Sequence, residues 1–229
     1  MKINKEISCS DCENKCDIFD VIDEKNKDFS VVKPVHVTFK KNEIICKQGN
    51  EVTHGLYVIK GTAKLLIEGI NNRNIILYIL KPHNYVGLLS FFETPQYFYS
   101  VFALEECKIC MVDINLIKKL YRENHQFLCK LNEAFGKSVA SIMKKIITLN
   151  QKNIRGRFAD SLLYLAELNK SLSFNLMLTR KELGELSAIS EENIVRLLSE
   201  FKNEKIINVQ KKHITILDEV LIRKISEVG

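Results

Sequence analysis

The chain has 229 residues, 46% of them apolar, which is enough for one large packed domain or two smaller ones and excludes a disordered chain. Lys and Arg outnumber Asp and Glu 34 to 28, a net charge of +6, so a polyanionic partner is permitted but not demanded. The longest purely apolar run, Ile75 to Leu80, falls far short of the roughly 20 residues a membrane span needs, and no apolar stretch follows Lys2. The reading is a cytoplasmic protein without anchor or signal peptide.

Residues 1–20 are polar and carry three of the seven cysteines, Cys9, Cys12 and Cys16. The others are Cys46, Cys107, Cys110 and Cys129, and an odd count in a reducing compartment argues against a disulfide framework. Three thiols at Cys9-x2-Cys12-x3-Cys16 suit zinc or an iron–sulfur cluster, since soft thiolates select both. The same spacing puts all three on one face of a short helix, where they would be small core residues. Their polar neighbours favour metal over packing.

From 21 to 117 short β-rich runs alternate with turn residues. Val35–Phe39, Glu43–Cys46, Leu56–Ile59, Ala63–Ile67 and Ile75–Leu80 read as strands, broken by Lys41-Asn42, Gln48-Gly49-Asn50, Gly61 and Pro82-His83-Asn84. This spacing predicts a small jelly-roll barrel. A further strand, Cys107 to Val112, has a period of two that places Cys107, Ile109 and Met111 on one face and Cys110 with Lys108 on the other. Cys107 is then a core residue and not one half of a chelating pair with Cys110; Cys46 and Cys129 read as packing residues.

One long helix is predicted over 118–152. Leu128, Leu131, Phe135, Val139, Ile142, Ile146 and Leu149 recur every three or four residues, a seam that suits pairing with an identical helix. Packing of that helix onto its own barrel is the alternative.

The remainder, 153–229, has helical runs at 157–169, 179–186 and 191–203, then strands 206–210 and 214–217 around Lys211-Lys212-His213. Two short helices, a tight turn and a hairpin make a winged helix-turn-helix. Thr179 with Glu182 forms a capping box for the first helix, and Ser190 caps the second. The second helix buries Ile194, Leu197, Leu198 and Phe201 and leaves Glu191, Glu192, Asn193 and Arg196 outside. Arg donates to guanine O6 and N7 and Glu accepts from cytosine N4, so Glu192 and Arg196, one turn apart, suit a G·C-rich patch. An ordinary surface pair of opposite charges has the same spacing.

Leu178-Thr179-Arg180-Lys181-Glu182-Leu183-Gly184, followed by Ser190-Glu191-Glu192-Asn193-Ile194-Val195-Arg196-Leu197-Leu198, resembles the helix-turn-helix of the CRP/FNR transcription regulators. The resemblance extends over nearly the whole chain. It implies an α+β protein: a jelly-roll sensor resembling cyclic-nucleotide-binding domains, a dimerisation helix and a winged helix-turn-helix. By it Glu192 and Arg196 read bases, while Thr179 and Arg180 touch phosphate. Ser190, Asn193 and the wing-tip Lys211 complete the expected DNA-binding set. Ala188 stands where the family usually has glycine at the turn, and Val195 where oxygen-sensing members have a DNA-contacting serine.

The cyclic-nucleotide pocket of such barrels holds ribose with a glutamate and phosphate with an arginine. Those positions read here as Tyr85 and Tyr99, which argues against cyclic AMP. Cys110 falls where the oxygen-sensing FNR branch has its distant fourth cluster ligand. The resemblance thus implies a 4Fe–4S cluster on Cys9, Cys12, Cys16 and Cys110, although the gap from Cys12 to Cys16 is shorter than in the best-known oxygen sensors. A barrel holding a small organic effector or a haem, with His36, His54, His83 or His125 as axial ligand, is the other reading. Double-stranded DNA with two-fold symmetry, a second copy of the chain and RNA polymerase are the implied partners. No His/carboxylate constellation suggests an enzyme.

Overall fold

The computed structural model describes residues 2–4, 12, 16, 34–87 and 96–229. The chain divides into two compact units, Met1–Glu68 with Tyr78–Ser141, and Gly69–Leu77 with Ile142–Gly229.

The first unit is β-rich. Strands β1 (Lys2–Asn4), β2 (Val35–Phe39), β3 (Ile44–Cys46), β4 (His54–Lys60), β5 (Ala63–Ile67), β6 (Ile75–Leu80), β7 (Tyr85–Val86), β8 (Ser100–Ala103) and β9 (Cys107–Asp113) form two sheets. Their orders are β1-β2-β9-β4-β7 and β3-β8-β5-β6. The strand pairs are antiparallel, as the alternating apolar pattern requires. Inward side chains such as Val37, Val58, Leu65, Val101 and Ile109 are buried between the sheets, each removing apolar surface worth about 1.5–3 kcal/mol.

The helix expected over 118–152 is two helices, α1 (Ile114–Glu123) and α2 (His125–Gln151). Asn124 breaks them: its backbone is extended, and its side-chain oxygen accepts from Phe127 N at 2.9 Å, capping α2. The apolar seam of α2 is also divided. Phe127 and Leu131 are buried in their own unit, and Leu128, Val139, Ile142 and Leu149 are half-buried. Phe135, Met143, Ile146 and Ile147 are exposed. Leu131 therefore serves the core of its own unit, and Met143 and Ile147, absent from the sequence seam, join the exposed stripe.

The second unit is built on α3 (Ile154–Asn169), which Asn153 caps by accepting from Arg155 N and Gly156 N. It continues through β10 (Ser173–Asn175), α4 (Arg180–Ser187), α5 (Glu191–Asn203), β11 (Ile207–Gln210), β12 (His213–Ile216) and α6 (Glu219–Val228). The wing is a three-stranded sheet, β10-β12-β11, rather than a two-stranded hairpin. At the centre of this core Phe158 and Phe201 meet edge to face with ring centroids 5.0 Å apart, and both are fully buried.

The turn between α4 and α5 takes the form the sequence predicts. Ala188 is left-handed, with φ 51° and ψ 50°, and its N–H returns to Gly184 O. A non-glycine residue in this region costs about 1–2 kcal/mol, while glycine costs about 0.4–1 kcal/mol through the freedom of the unfolded chain. The difference leaves glycine ahead. Ala188→Gly should raise stability by about 0.5–1 kcal/mol, measured as a higher urea midpoint with unchanged slope.

Candidate nucleic-acid interface and cysteine patch

The N-terminus of α4 is fixed by a reciprocal pair of bonds. Thr179 Oγ1 accepts from Glu182 N at 3.1 Å, and Glu182 Oε2 accepts from Thr179 N at 2.7 Å. Gly184 lies on the side of α4 facing the turn, where a Cβ would come within 2.5 Å of Ile189 O. That close approach sets the distance between α4 and the start of α5. Ser190 Oγ then caps α5, accepting from Asn193 N at 3.4 Å and Asn193 Nδ2 at 3.0 Å.

Burial of Ile194, Leu197, Leu198 and Phe201 turns the opposite face of α5 outward. Glu191, Glu192, Val195, Arg196 and Ser199 are exposed on it. Arg196 does not pair with Glu192 as its spacing suggested. Its Nη2 donates to Asn193 Oδ1 at 3.1 Å, and its Nε lies 3.7 Å from Glu200. Both contacts lie along the helix surface, and the side chain is 59% exposed, so the guanidinium remains presentable to a base edge.

Thr179, Ser190 and Glu192 are exposed and Asn193 is half-buried, all at the N-terminal ends of α4 and α5. Arg180 is more constrained than expected: it is half-buried, and Nη2 donates to the wing-tip carbonyl of Lys211 at 3.2 Å. The wing tip is thereby tied to the start of α4, with the Lys211 and Lys212 side chains exposed. Helix N-terminal amides and exposed lysines together suit a phosphate backbone.

Two anchors of this face were not legible in the sequence. Arg155 at the start of α3 makes a bidentate pair with Glu204, at 3.0 and 2.7 Å, and reaches Glu200 at 3.3 Å. Its guanidinium also lies 5.0 Å over the Phe201 ring. The hydrogen bond from Arg155 holds the Glu204 carboxyl below its usual range. This clasp holds the C-terminal end of α5. Lys145 of α2 donates to Leu186 O at the end of α4, and burial pushes its ammonium down to about 8, Arg157 adding to the shift and Asp160 opposing it. Sequence offered no signal for either, since each joins residues more than 40 positions apart.

The cysteines separate as the strand period requires. Cys107 points inward, donates to Thr62 O at 3.2 Å, and is pushed up to about 11 by burial. Cys110 lies on the other face of β9, directly opposite His36 of β2 and Tyr57 of β4. His36 is only 1% exposed, and its Nε2 lies 4.0 Å from Cys12 Sγ. Its Nδ1 has no partner among the described residues. Burial, with Lys108 second, lowers the imidazole pKa. Cys16 is buried, and Cys46 is buried with its thiol pushed up to about 12. Cys129 is exposed on α2, with Sγ 3.6 Å from His125 Nε2, and so is not a packing residue. Cys9 lies outside the described residues, and among those described no three His, Cys, Asp or Glu side chains converge as a metal site.

Inside the barrel, the Tyr99 hydroxyl is buried and accepts from Gly87 N at 2.6 Å. Tyr85 packs on Tyr57 with centroids 4.9 Å apart, and Tyr57 OH bonds His83 Nδ1 at 2.6 Å. The segment that follows Gly87, residues 88–95, lies outside the described residues. His54 bonds its neighbour Thr53.

Two family profiles match the chain: "Cyclic nucleotide-binding domain" over residues 36–124 and "Crp-like helix-turn-helix domain" over 156–225. The chain belongs to the CRP/FNR family of transcription regulators. The cAMP-activated global transcriptional regulator CRP of Salmonella typhimurium is 24% identical over 187 residues, 80% of this chain and 89% of that protein. FixK2 from Bradyrhizobium japonicum superposes with a TM-score of 0.73 at 16% identity, covering 84% of this chain and 96% of that one. TTHB099, a CRP-family regulator from Thermus thermophilus, superposes with a TM-score of 0.71 at 19% identity over 83% of this chain and 96% of its own. This CRP/FNR regulator thus has a sensor-type β domain and a DNA-binding helix-turn-helix, and among the described residues no helix is long and apolar enough to cross a membrane.

Arg196→Ala should cost about 1–3 kcal/mol on specific DNA and relax preference at one base pair while leaving nonspecific binding nearly intact. Competition binding against a panel of single-base variants measures both. Unchanged discrimination would remove Arg196 from the base-reading set.

Proposed function

We propose that this CRP/FNR regulator acts as a homodimer, reads a two-fold symmetric DNA site with α5, and is governed by a redox or gas signal at a cysteine-held 4Fe–4S cluster. Glu192 and Arg196 face base edges. Thr179, Ser190, Asn193 and Lys211 approach phosphate, and Arg180 braces the wing that carries Lys211. RNA polymerase is the partner such a regulator acts on.

The homodimer rests on α2. Phe135, Met143, Ile146 and Ile147 form an exposed apolar stripe on a helix of 27 residues, about 40 Å long at 1.5 Å per residue. A second copy of the same stripe is self-complementary across a two-fold axis. Such a pair suits half-sites about 34–36 Å apart, one turn of the duplex. Ile146→Asp should convert dimer to monomer in sedimentation velocity and abolish tight binding to the two-fold site; a persistent dimer would move the interface elsewhere.

The observation carrying the redox reading is that Cys12, from the N-terminal motif, and Cys110, from β9, flank the same buried histidine. The donor types suit the group, soft sulfur ligands with two of them buried, while Cys12, Cys16 and Cys110 do not converge on one point in this structure. Cys9, Cys12, Cys16 and Cys110 would hold it. When bound, such a cluster supplies a one-electron, oxygen-labile centre. Anaerobic purification tests this, with iron and sulfide each near four per chain expected. Cys110→Ser should lose the chromophore and Cys107→Ser should retain it. Colourless, metal-free wild type would transfer sensing to an effector in the barrel, and the reverse pattern of variants would overturn the ligand choice.

A further inference from the structure

The first turns of α2 carry a histidine and a cysteine that neither DNA reading nor the N-terminal cysteine motif uses. His125 and Cys129 are both exposed and, four positions apart on one helix, share a face. Cys129 Sγ lies 3.6 Å from His125 Nε2. In a tetrahedral zinc site with Zn–N about 2.0–2.1 Å and Zn–S about 2.3 Å, the edge from nitrogen to sulfur is about 3.6 Å. The two side chains already stand at ligand-to-ligand distance.

The same exposed face continues down the helix through Asn132, Gly136, Met143 and Ile147. Gly136 is the informative member. A glycine inside a helix weakens it, and a Cβ at this position would meet nothing within 4 Å. Among the described residues, then, no contact within the chain requires a glycine here; close approach of a second helix does. Cys129 and Met143 lie about two turns to either side of it, on the face that such a helix would cover.

We propose that His125 and Cys129, with the same pair of the partner subunit, form a zinc site that bridges the two α2 helices of the homodimer. The site rests on the homodimer reading, with the two helices parallel. Parallel pairing lays the apolar half of the stripe on its own copy and the polar turns at His125, Cys129 and Asn132 on theirs. The two-fold axis then gathers two nitrogens and two sulfurs, the four ligands of a closed structural site. Among the described residues one chain alone brings no three such groups together, so the site is incomplete without the second copy.

Thiolate and imidazole select zinc over hard cations such as calcium or magnesium. Each Cys129 thiol releases its proton to solvent as the sulfur binds, so two thiolates balance the charge of Zn²⁺, the imidazoles bind neutral, and no electron moves. A metal held only by the pair favours the pair by mass action. Zinc would thus tie the dimer at the N-terminal end of α2.

The test titrates metal-free, full-length chain with zinc alone against a chromophoric chelator. Relative to wild type, His125→Ala, Cys129→Ser and the monomeric Ile146→Asp should each lose about one zinc per two chains. Both ligands are exposed, so their substitution should leave the far-UV circular dichroism unchanged. With cobalt in place of zinc, Cys129→His should keep the metal and lose the sulfur-to-cobalt charge transfer of this site. In sedimentation velocity, zinc should lower the dimer dissociation constant at least about tenfold in wild type and leave it unchanged in Cys129→Ser. Equal zinc uptake in wild type and both ligand variants, with the dimer intact, would overturn the site and leave the homodimer standing. Loss of about one zinc per chain would overturn its sharing between copies. A wild-type chain that stays monomeric with and without zinc would overturn the homodimer and this site together.

Discussion

The recognition helix depends on the packing of its inner face. A helix of 13 residues is marginal by itself in water, and α5 holds its shape because Phe201 packs edge to face on Phe158 while Ile194 and Leu197 are fully buried. That burial fixes the rotation of α5 about its own axis. Once the rotation is set, Glu192 and Arg196 have no choice but to face solvent. Caps at Thr179 and Ser190, the close approach at Gly184 and the Arg155 clasp on Glu204 then fix the ends. The outward presentation of Glu192 and Arg196 is a by-product of hydrophobic packing on the reverse side.

The same division of labour governs β9. Its inner residues, Cys107 and Ile109, complete the barrel core, and Cys110 on the other face lies opposite His36. Two cysteines three positions apart therefore occupy different chemical environments. One is a high-pKa thiol bonded to a carbonyl; the other stands beside a buried imidazole on the opposite face. Strand geometry, rather than cysteine spacing, decides the face on which each thiol lies.

Along α2 a single apolar pattern serves two purposes. Phe127 and Leu131 are consumed by the core of their own unit, whereas Phe135, Met143, Ile146 and Ile147 remain outside. A heptad-like seam records only that these positions are apolar. It does not record which are already covered.

Local signals were legible wherever a few neighbouring residues decide the outcome. The capping box at Thr179 and Glu182, the Ser190 cap, the turn at Ser187-Ala188-Ile189 and the two-fold period of β9 all depend on atoms within a few positions, so the sequence alone determined them. The winged helix-turn-helix and the β-rich sensor domain followed from such signals in order. Asn124 was harder, because an asparagine inside an apolar repeat interrupts it only when its side chain turns back to Phe127 N. α6 escaped notice since exposed Val220 and Val228 blur its period around buried Ile222. Only the tertiary structure decided the partners of Arg155, Lys145, Arg180 and His36. Each meets groups far away in the chain, and such pairings follow from how strands register and helices pack, which no local pattern encodes.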